Sequence, residues 1–420
     1  MTSTELSTPT VDLPAIRAQF PGLTAGSVLL ENAGGSQVPR GVADALRDYM
    51  LSSYVQLEAG YPESDRAVAT VQGAHAFMNL FMNGVDRGEA ILGPSTSQLM
   101  AMLAQAYAPV LQPGDEIVVG ENGHEANMGP WKRLAEQTGC TLRWWALDRE
   151  TQDCTLAGLD AVLNERTRLV AAVHVSNLLG QVADVAAVAE RVHAANPAAR
   201  LVVDGVAFAP HRAIDVAAWG VDHYVFSTYK VYGPHAAVLW GSNEALAEIT
   251  GPNHFFVPDD DVPYKFELGG VNHESCAGLL ALRDYLCLLA AMHDGRPRET
   301  CDRAVIEDAF QLMQVAERPL IERLVGYLES KPGVRVVGPG TGGADRVGTI
   351  SFVHAGKSSA QIVAAAHAHG VGIRHGHMYA HRLCEALDLP LDDGVVRVSL
   401  LHYNTPEEIE RCIAAFETIL

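Results

Sequence analysis

From about residue 88 onward, short apolar runs alternate with stretches of helical periodicity. No other feature narrows the possible folds as much. Ala90–Gly93 precedes a helix predicted over about Ser97–Leu111, and Glu116–Gly120 precedes one around Pro130–Thr138. Leu169–Val175, Leu201–Val203 and His223–Phe226 continue the strand series, with Val185–Ala195 as an intervening helix. Strands joined by helical crossovers build a mostly parallel sheet with helices on both faces. Ligands of such sheets bind beyond the carboxyl ends of the strands. Gly93, Ser176–Asn177, Asp204 and Ser227 all fall at such ends, so distant segments are expected to line one pocket.

A long helical region, about Asp302–Ser330, leads to a second lobe. That lobe reads as strands over 334–337, 347–353 and 395–400, a helix over 359–369 and a final helix over 407–420. Thr405 is placed to cap the last helix, with Pro406 in its first turn. At 420 residues the chain exceeds one hydrophobic core. The expected division is a segment 1–25 packing on the smaller lobe, a large domain 26–295 and a C-terminal domain 296–420. Charged residues make up 19%, below the ~25% of an average domain, which suits a large, well-filled interior. A net charge of −20 argues against nucleic acid and anionic membranes as partners. No run of about 18 apolar residues occurs, and Met1–Glu5 does not open a secretion signal, so no membrane span is expected. The seven cysteines are scattered without a C-x-x-C, as in reduced thiols of a cytoplasmic protein.

Lys230 lies in Ser227-Thr228-Tyr229-Lys230-Val231-Tyr232-Gly233-Pro234, where a strand runs into a glycine-proline turn. Upstream, Asp204 ends the apolar run Leu201-Val202-Val203. A lysine so placed can form a Schiff base with an aldehyde cofactor. A buried carboxylate in the same site can keep a pyridine nitrogen protonated, so that the ring withdraws electrons. Together they point to pyridoxal 5′-phosphate (PLP). Ser227-x-x-Lys230 also fits serine acyl-enzymes, but the Ser-Asp-Asn and Lys-Thr-Gly strings of those enzymes do not occur. Gly93-Pro94-Ser95-Thr96-Ser97, at a helix start, offers N–H groups and hydroxyls to a phosphate. Gly338–Gly343 matches the dinucleotide fingerprint literally, yet a strand follows where a helix is required, so it reads as a turn. Among the 17 histidines, His124-Glu125 and His273-Glu274 lack the second His of a zinc-protease helix, and His375, His377 and His381 lack an acidic or Cys ligand at a familiar spacing. No metal is expected.

These segments resemble the class V aminotransferases, and more narrowly their cysteine desulfurase-like branch. The resemblance runs from Phe20-Pro21-Gly22 to the last helix through Leu30-Glu31-Asn32-Ala33-Gly34-Gly35, Gly123-His124-Glu125-Ala126-Asn127 and Ser176-Asn177-Leu178-Leu179-Gly180. It continues through the Asp204 strand, Ser227-x-x-Lys230, Phe266-Glu267-Leu268-Gly269 and Arg397-Val398-Ser399-Leu400-x-x-Tyr403-Asn404-Thr405. It implies the aspartate aminotransferase-like α/β fold of PLP-dependent transferases, with a smaller C-terminal α/β domain, and a homodimer whose active site lies at the interface. It assigns Lys230 to the Schiff base and the Cα proton, Asp204 to the pyridine nitrogen, His124 to the ring face and Asn177 to the ring oxygen. Ser95, Thr96, Ser97 and Ser227 would hold the phosphate, and Tyr229, before the lysine, stands where a His is common. Asn32, Ala33, Arg374 and Arg397 would line the substrate site, with Arg397 taking the carboxylate bidentately.

Departures from the family pattern shape the expected chemistry. The catalytic Cys that follows an Arg-x-Gly-His motif is Tyr379 here, in Arg374-His375-Gly376-His377-Met378-Tyr379. Cys384 lies five residues on and reads as a buried helical thiol. Ala207 stands where Gln or His is usual, and Gly270 where the family donates a phosphate-binding Thr across the dimer. The expected activity is therefore β-elimination of the C–S lyase kind on a cysteine-like amino acid. Tyr379 would assist at the leaving group. Transamination, epimerisation, a true desulfurase using another Cys and a non-catalytic PLP sensor are the alternatives.

Overall fold

The computed structural model of the chain describes residues 11–23, 26–340 and 345–420. The expectations resting on 1–10 and 24–25 of the N-terminal segment, and on 341–343 of the glycine-rich turn, lie outside the described residues. The chain opens with α1 (Leu13–Ala18), β1 (Val28–Leu29), α2 (Arg40–Ser52) and α3 (Pro62–Phe81). The alternating region follows as β2 (Gly88–Gly93), α4 (Thr96–Tyr107), β3 (Glu116–Gly120), α5 (Gly129–Thr138), β4 (Thr141–Trp145), α6 (Leu156–Asp160), β5 (Thr167–Val173) and α7 (Val185–Ala195). It ends with β6 (Arg200–Asp204), α8 (Val216–Trp219), β7 (His223–Ser227), β8 (Ala237–Ser242) and α9 (Asn243–Glu248).

These strands form one seven-stranded sheet in the order β2-β8-β7-β6-β5-β3-β4. Helical crossovers make β7-β6-β5-β3-β4 parallel. The central strands β3, β6 and β7 are buried at every residue, which is why they read as continuous apolar runs rather than as alternation. The sequence did not signal β4 or β8. Edge strand β4 alternates exposed with less exposed positions. β8 follows β7 without a helix and runs antiparallel to both its neighbours. Because β8 reverses direction twice over, β2 points the same way as β7. The carboxyl ends of β2, β5, β6 and β7 therefore share one edge. The strand predicted over 169–175 is displaced: β5 starts at Thr167 and ends at Val173, with Val175 bridging to Val182.

Helix α10 (His273–Asp294) is long and apolar enough to cross a bilayer, with a mean hydropathy of 1.5. Instead it packs against α2, α3 and α11 (Arg303–Glu329), and its apolar residues belong to the large-domain core. Asp302 caps α11 by accepting the Val305 N–H at 3.0 Å. The first half of α11, around Ile306 and Phe310, packs in the large domain, and its second half, around Leu324 and Leu328, packs in the small one. β9 (Val334–Val337), β10 (Thr349–His354), α12 (Ser359–Ala368), β11 (Val371–Gly372), β12 (Arg374–Gly376), α13 (His381–Ala386), β13 (Val395–Ser399) and α14 (Pro406–Ile419) complete the chain. The small antiparallel sheet runs β12-β13-β10-β9, and β1 pairs in parallel with β11. α14 starts with a capping box between Thr405 and Glu408. Residues of the N-terminal stretch meet both lobes. Phe20 packs on Tyr232 and Tyr285 as well as Tyr403, and Arg17 pairs with Glu408 at 3.0 Å.

Candidate active site

At the shared strand edge lies a cavity of about 540 Å3, open solvent included. The N-terminus of α4 contributes Ser95, Thr96 and Ser97, and the segment after β3 contributes His124. Asn177, Asp204, Ser227, Tyr229 and Lys230 come from the ends of β5, β6 and β7. Ser95 lines the cavity and also caps α4, its Oγ accepting the Gln98 N–H at 3.2 Å. Thr96 and Ser227 hydroxyls lie 2.7 Å apart and are both buried. Two hydroxyls meeting at the first turn of a twelve-residue helix make a cradle for a phosphate. Gly270 is not beside Lys230 in the same chain. It lines two larger clefts, of about 1900 and 1850 Å3, on the surface of α10 and the loop before it. The departure Ala207 does line the Lys230 cavity.

Burial pushes the Lys230 amine down to about 8, helped by the Arg397 cation and opposed by Asp204 and Glu31. Asp204 is 6% exposed and accepts the Val206 N–H at 3.0 Å. Burial raises its pKa, against the pull of that N–H and of Lys230. A carboxylate so raised is a stronger base and suits a shared proton with a ring nitrogen. His124 accepts the Ala126 N–H at Nδ1 (3.0 Å), leaving Nε2 as the protonated nitrogen of the neutral ring. Burial, then Lys230 and Arg397, hold it near 4, so it is neutral at pH 7. Tyr229 stacks on His235, with centroids 4.5 Å apart and planes at 7°. Its ring lies 5.9 Å from the Lys230 ammonium.

Arg397 is 3% exposed, on β13. It donates from Nη1 to the Asn177 carbonyl (3.2 Å) and from Nη2 to Glu31 Oε1 (3.3 Å). Its Nε and the Asn177 Oδ1 are buried without a hydrogen-bond partner among the described residues. Arg374 sits opposite Arg397 in the β12–β13 register and approaches the same Glu31 oxygen at 3.7 Å. Sequence reasoning gave Glu31 no role. The available signal was an acid inside the Leu30–Gly35 motif with two arginines expected nearby. Asn32, predicted to meet substrate, is turned to the junction between lobes. Its Nδ2 donates to the Ser399 carbonyl at 3.0 Å, and its Oδ1 accepts from Tyr403 Oη at 2.6 Å. Ala33 spends its N–H on Ser399 Oγ, 2.8 Å away. Both residues border a small cleft behind Lys230 rather than the main cavity.

Tyr379 reaches the cavity mouth from the small domain. Its ring lies 5.1 Å from that of His124, tilted by 36°, and is 63% exposed. The backbone that delivers it is left-handed at two successive non-glycine residues, Met378 (φ 45°) and Tyr379 (φ 62°). Two hydrogen bonds hold it there, from Glu125 N–H to the Tyr379 carbonyl (2.8 Å) and from Asn177 Nδ2 to the Met378 carbonyl (2.9 Å). Just beyond, Arg382 lies 3.8 Å over the Trp144 ring. Cys384 faces the core of α13, fully buried, with its thiol pushed up to about 11 by burial.

The Thr96–Ser227 hydroxyl pair, buried Asp204 and depressed Lys230 fit PLP, and the unpartnered Nε of Arg397 fits an amino-acid carboxylate. Comparison with known proteins agrees. The family model for aminotransferase class-V matches residues 28–297 and 304–412. The chain is 39% identical to the aminotransferase-like protein FGM3 of Gibberella zeae, over 99% of this chain and 100% of that one. It is 30% identical to a cysteine desulfurase of Dickeya dadantii, over 96% of each chain. The crystal structure of the Escherichia coli cysteine desulfurase CsdA superposes with a TM-score of 0.80 at 27% identity, covering 97% of this chain and 98% of that one. The chain therefore belongs to the class V aminotransferase family, in its cysteine desulfurase-like branch, and is a PLP-dependent enzyme.

Proposed function

We propose that the enzyme catalyses β-elimination on a cysteine-like amino acid, releasing the sulfur directly rather than handing it to a protein thiol. Bound PLP supplies an electron sink that lets the Cα–H bond of an amino acid ionise. Arg397 binds the α-carboxylate and fixes the substrate's orientation. Lys230, whose amine burial and Arg397 hold below the ordinary lysine range, would take the Cα proton. Asp204 would keep the proton on the ring nitrogen, neutral His124 would cover the ring face, and Asn177 would meet the ring oxygen. Thr96, Ser227 and the first turn of α4 anchor the phosphate, with Ser95 and Ser97 beside them. At the mouth, the Tyr379 hydroxyl is the group positioned to protonate or hydrogen-bond the leaving sulfur.

One observation carries the choice of reaction: the residue over His124 is a phenol, and the nearest cysteine in sequence, Cys384, is buried as a neutral thiol. Alanine formation needs a thiolate to pull sulfur from the substrate. Elimination needs only loss of the Cα proton and departure of the β-substituent. Cysteine would thus yield sulfide, ammonia and pyruvate, with water completing the hydrolysis. Stoichiometric alanine together with a persulfide mapped to Cys384 would overturn this reading. A keto acid matching the substrate's carbon skeleton would favour transamination, the activity that the name of the FGM3 relative evokes.

We also infer a homodimer. Phe255 is fully exposed, Phe256 is 68% exposed, and Leu268, which lines one large cleft together with Gly270, is 59% exposed. Apolar side chains so concentrated suit coverage by a second copy, which would bring the Gly270 N–H towards the other subunit's phosphate. All seven cysteines are free thiols, which supports a cytoplasmic setting.

A further inference from the structure

We propose that Glu31 is a resident carboxylate of the substrate site. It holds the Arg397–Arg374 pair in the resting enzyme, gives way to the substrate's α-carboxylate, and so sets how tightly carboxylates bind. This inference rests on the reading of Arg397 as the carboxylate anchor.

The geometry separates a fixed partner from a movable one. The Arg397 side chain is 4% exposed and held by the Asn177 carbonyl, whereas the Glu31 side chain is 37% exposed, with its charge still felt by Lys230. The Glu31 backbone is fixed: Leu30 N–H donates to the Gly372 carbonyl (2.9 Å) and Ser399 N–H to the Leu30 carbonyl (2.7 Å). Only the side chain is free to exchange. Its carboxylate folds back over its own turn into space that Gly34 leaves open. A Cβ at position 34 would stand 2.3 and 2.7 Å from the two oxygens. One carboxylate also serves two guanidiniums, at 3.3 and 3.7 Å, while Arg397 Nε has no partner among the described residues. A carboxylate bound bidentately to Arg397 would use the unpartnered Nε and need an Nη that is now taken, so it would displace Glu31 from Nη2, and Arg374 can keep Glu31 once it is displaced. The plain alternative is a structural ion pair that ties the Leu30–Gly35 segment to the small domain. The two differ in what they do to ligand binding.

The test uses holoenzyme titrated with propionate and with propionamide, which share a shape and differ in charge. Binding is followed by calorimetry and by the visible absorbance of the cofactor. Glu31→Gln should bind propionate about tenfold more tightly, because a competing charge-assisted, partly solvated contact is gone. Propionamide binding should not change. Gly34→Ala retains the charge but pushes the carboxylate from its seat, and should shift propionate binding in the same direction by less. It also keeps the idea open to refutation if Glu31→Gln folds poorly. Unchanged or weaker propionate binding in both variants would reduce Glu31 to a structural ion pair. Arg397→Met tests the underlying reading separately. If it binds propionate as well as wild type, the anchor lies elsewhere and the inference falls with it.

Discussion

The Lys230 amine is the most direct place to test the electrostatics of the site. An ordinary lysine titrates at 10.5, and burial beside Arg397 brings this one to about 8. A fall of about 2.5 units means that at pH 7 roughly one amine in ten is neutral, against about three in ten thousand for an unperturbed lysine. The neutral fraction should be about 300-fold higher than for a free alkylamine of ordinary pKa, and apoenzyme should capture PLP faster, by less than that factor because a less basic amine is a weaker nucleophile. The sign follows from the direction of the shift. The rate should rise as pH increases through about 8 and level off above it, rather than climb steadily to pH 10. Stopped-flow mixing of apoenzyme with PLP between pH 6 and 10, with propylamine as control, measures this directly. Arg397→Met removes the neighbouring cation and should move the midpoint up, by about half a unit to one unit. A profile centred near 10.5 would show that Lys230 is not desolvated, and one indifferent to Arg397→Met that it is not coupled to that charge.

Asp204→Asn should retain bound PLP but lose about 10²–10³ in turnover, since the ring nitrogen can no longer be held protonated; product assays at saturating amino acid check this, and a change within a few-fold would make Asp204 a packing residue. Lys230→Ala should leave no lysine that borohydride links to the cofactor, and peptide mapping of the reduced wild type should find the label on Lys230 alone. Tyr379→Phe should slow release of a poor leaving group more than that of a good one, because only the former needs a proton, and equal effects across a series of S-substituted cysteines would remove Tyr379 from that role. Behind Lys230, where His211 borders the small cleft, His211 Nδ1 and Glu317 Oε2 meet at 2.8 Å with both side chains buried, and neither is among the charges that shift Lys230. Truncating Glu317 to Ala should cost about 3–5 kcal/mol and lower the thermal midpoint, while leaving the pH midpoint of PLP capture in place.

What was legible in the sequence was what each segment announces locally. Lys230, Asp204 and Asn177 each follow an apolar run, and a strand end in a parallel sheet is where ligands sit. Thr96 and Ser227 were legible singly, as a helix-start hydroxyl and a strand-end hydroxyl. Their 2.7 Å contact was not, because it joins β7 to α4 across 131 residues. The same limit hid β8, which looks locally like the tail of a glycine-proline turn, and gave α10 a composition that only its packing against α2, α3 and α11 explains. Glu31 is the clearest case. Its ion pair with Arg397 spans 366 positions and depends on the bridge that sets Glu31 beside Ser399 of β13, while the register of β12, a strand of three residues, brings Arg374 to the same acid. No periodicity reports such a register. Tyr379 falls between these extremes. Its identity was readable as a substitution at a reactive position, but its contact with His124 depends on two left-handed residues in succession, Met378 and Tyr379. Neither residue favours that conformation, so the surroundings must impose it. The Glu125 N–H and the Asn177 side chain do so; Asn177 lines the Lys230 cavity, and Glu125 lies between its lining residues His124 and Ala126. The residues that build the cofactor site thus also position the phenol, and a change at Asn177 should disturb cofactor and Tyr379 together.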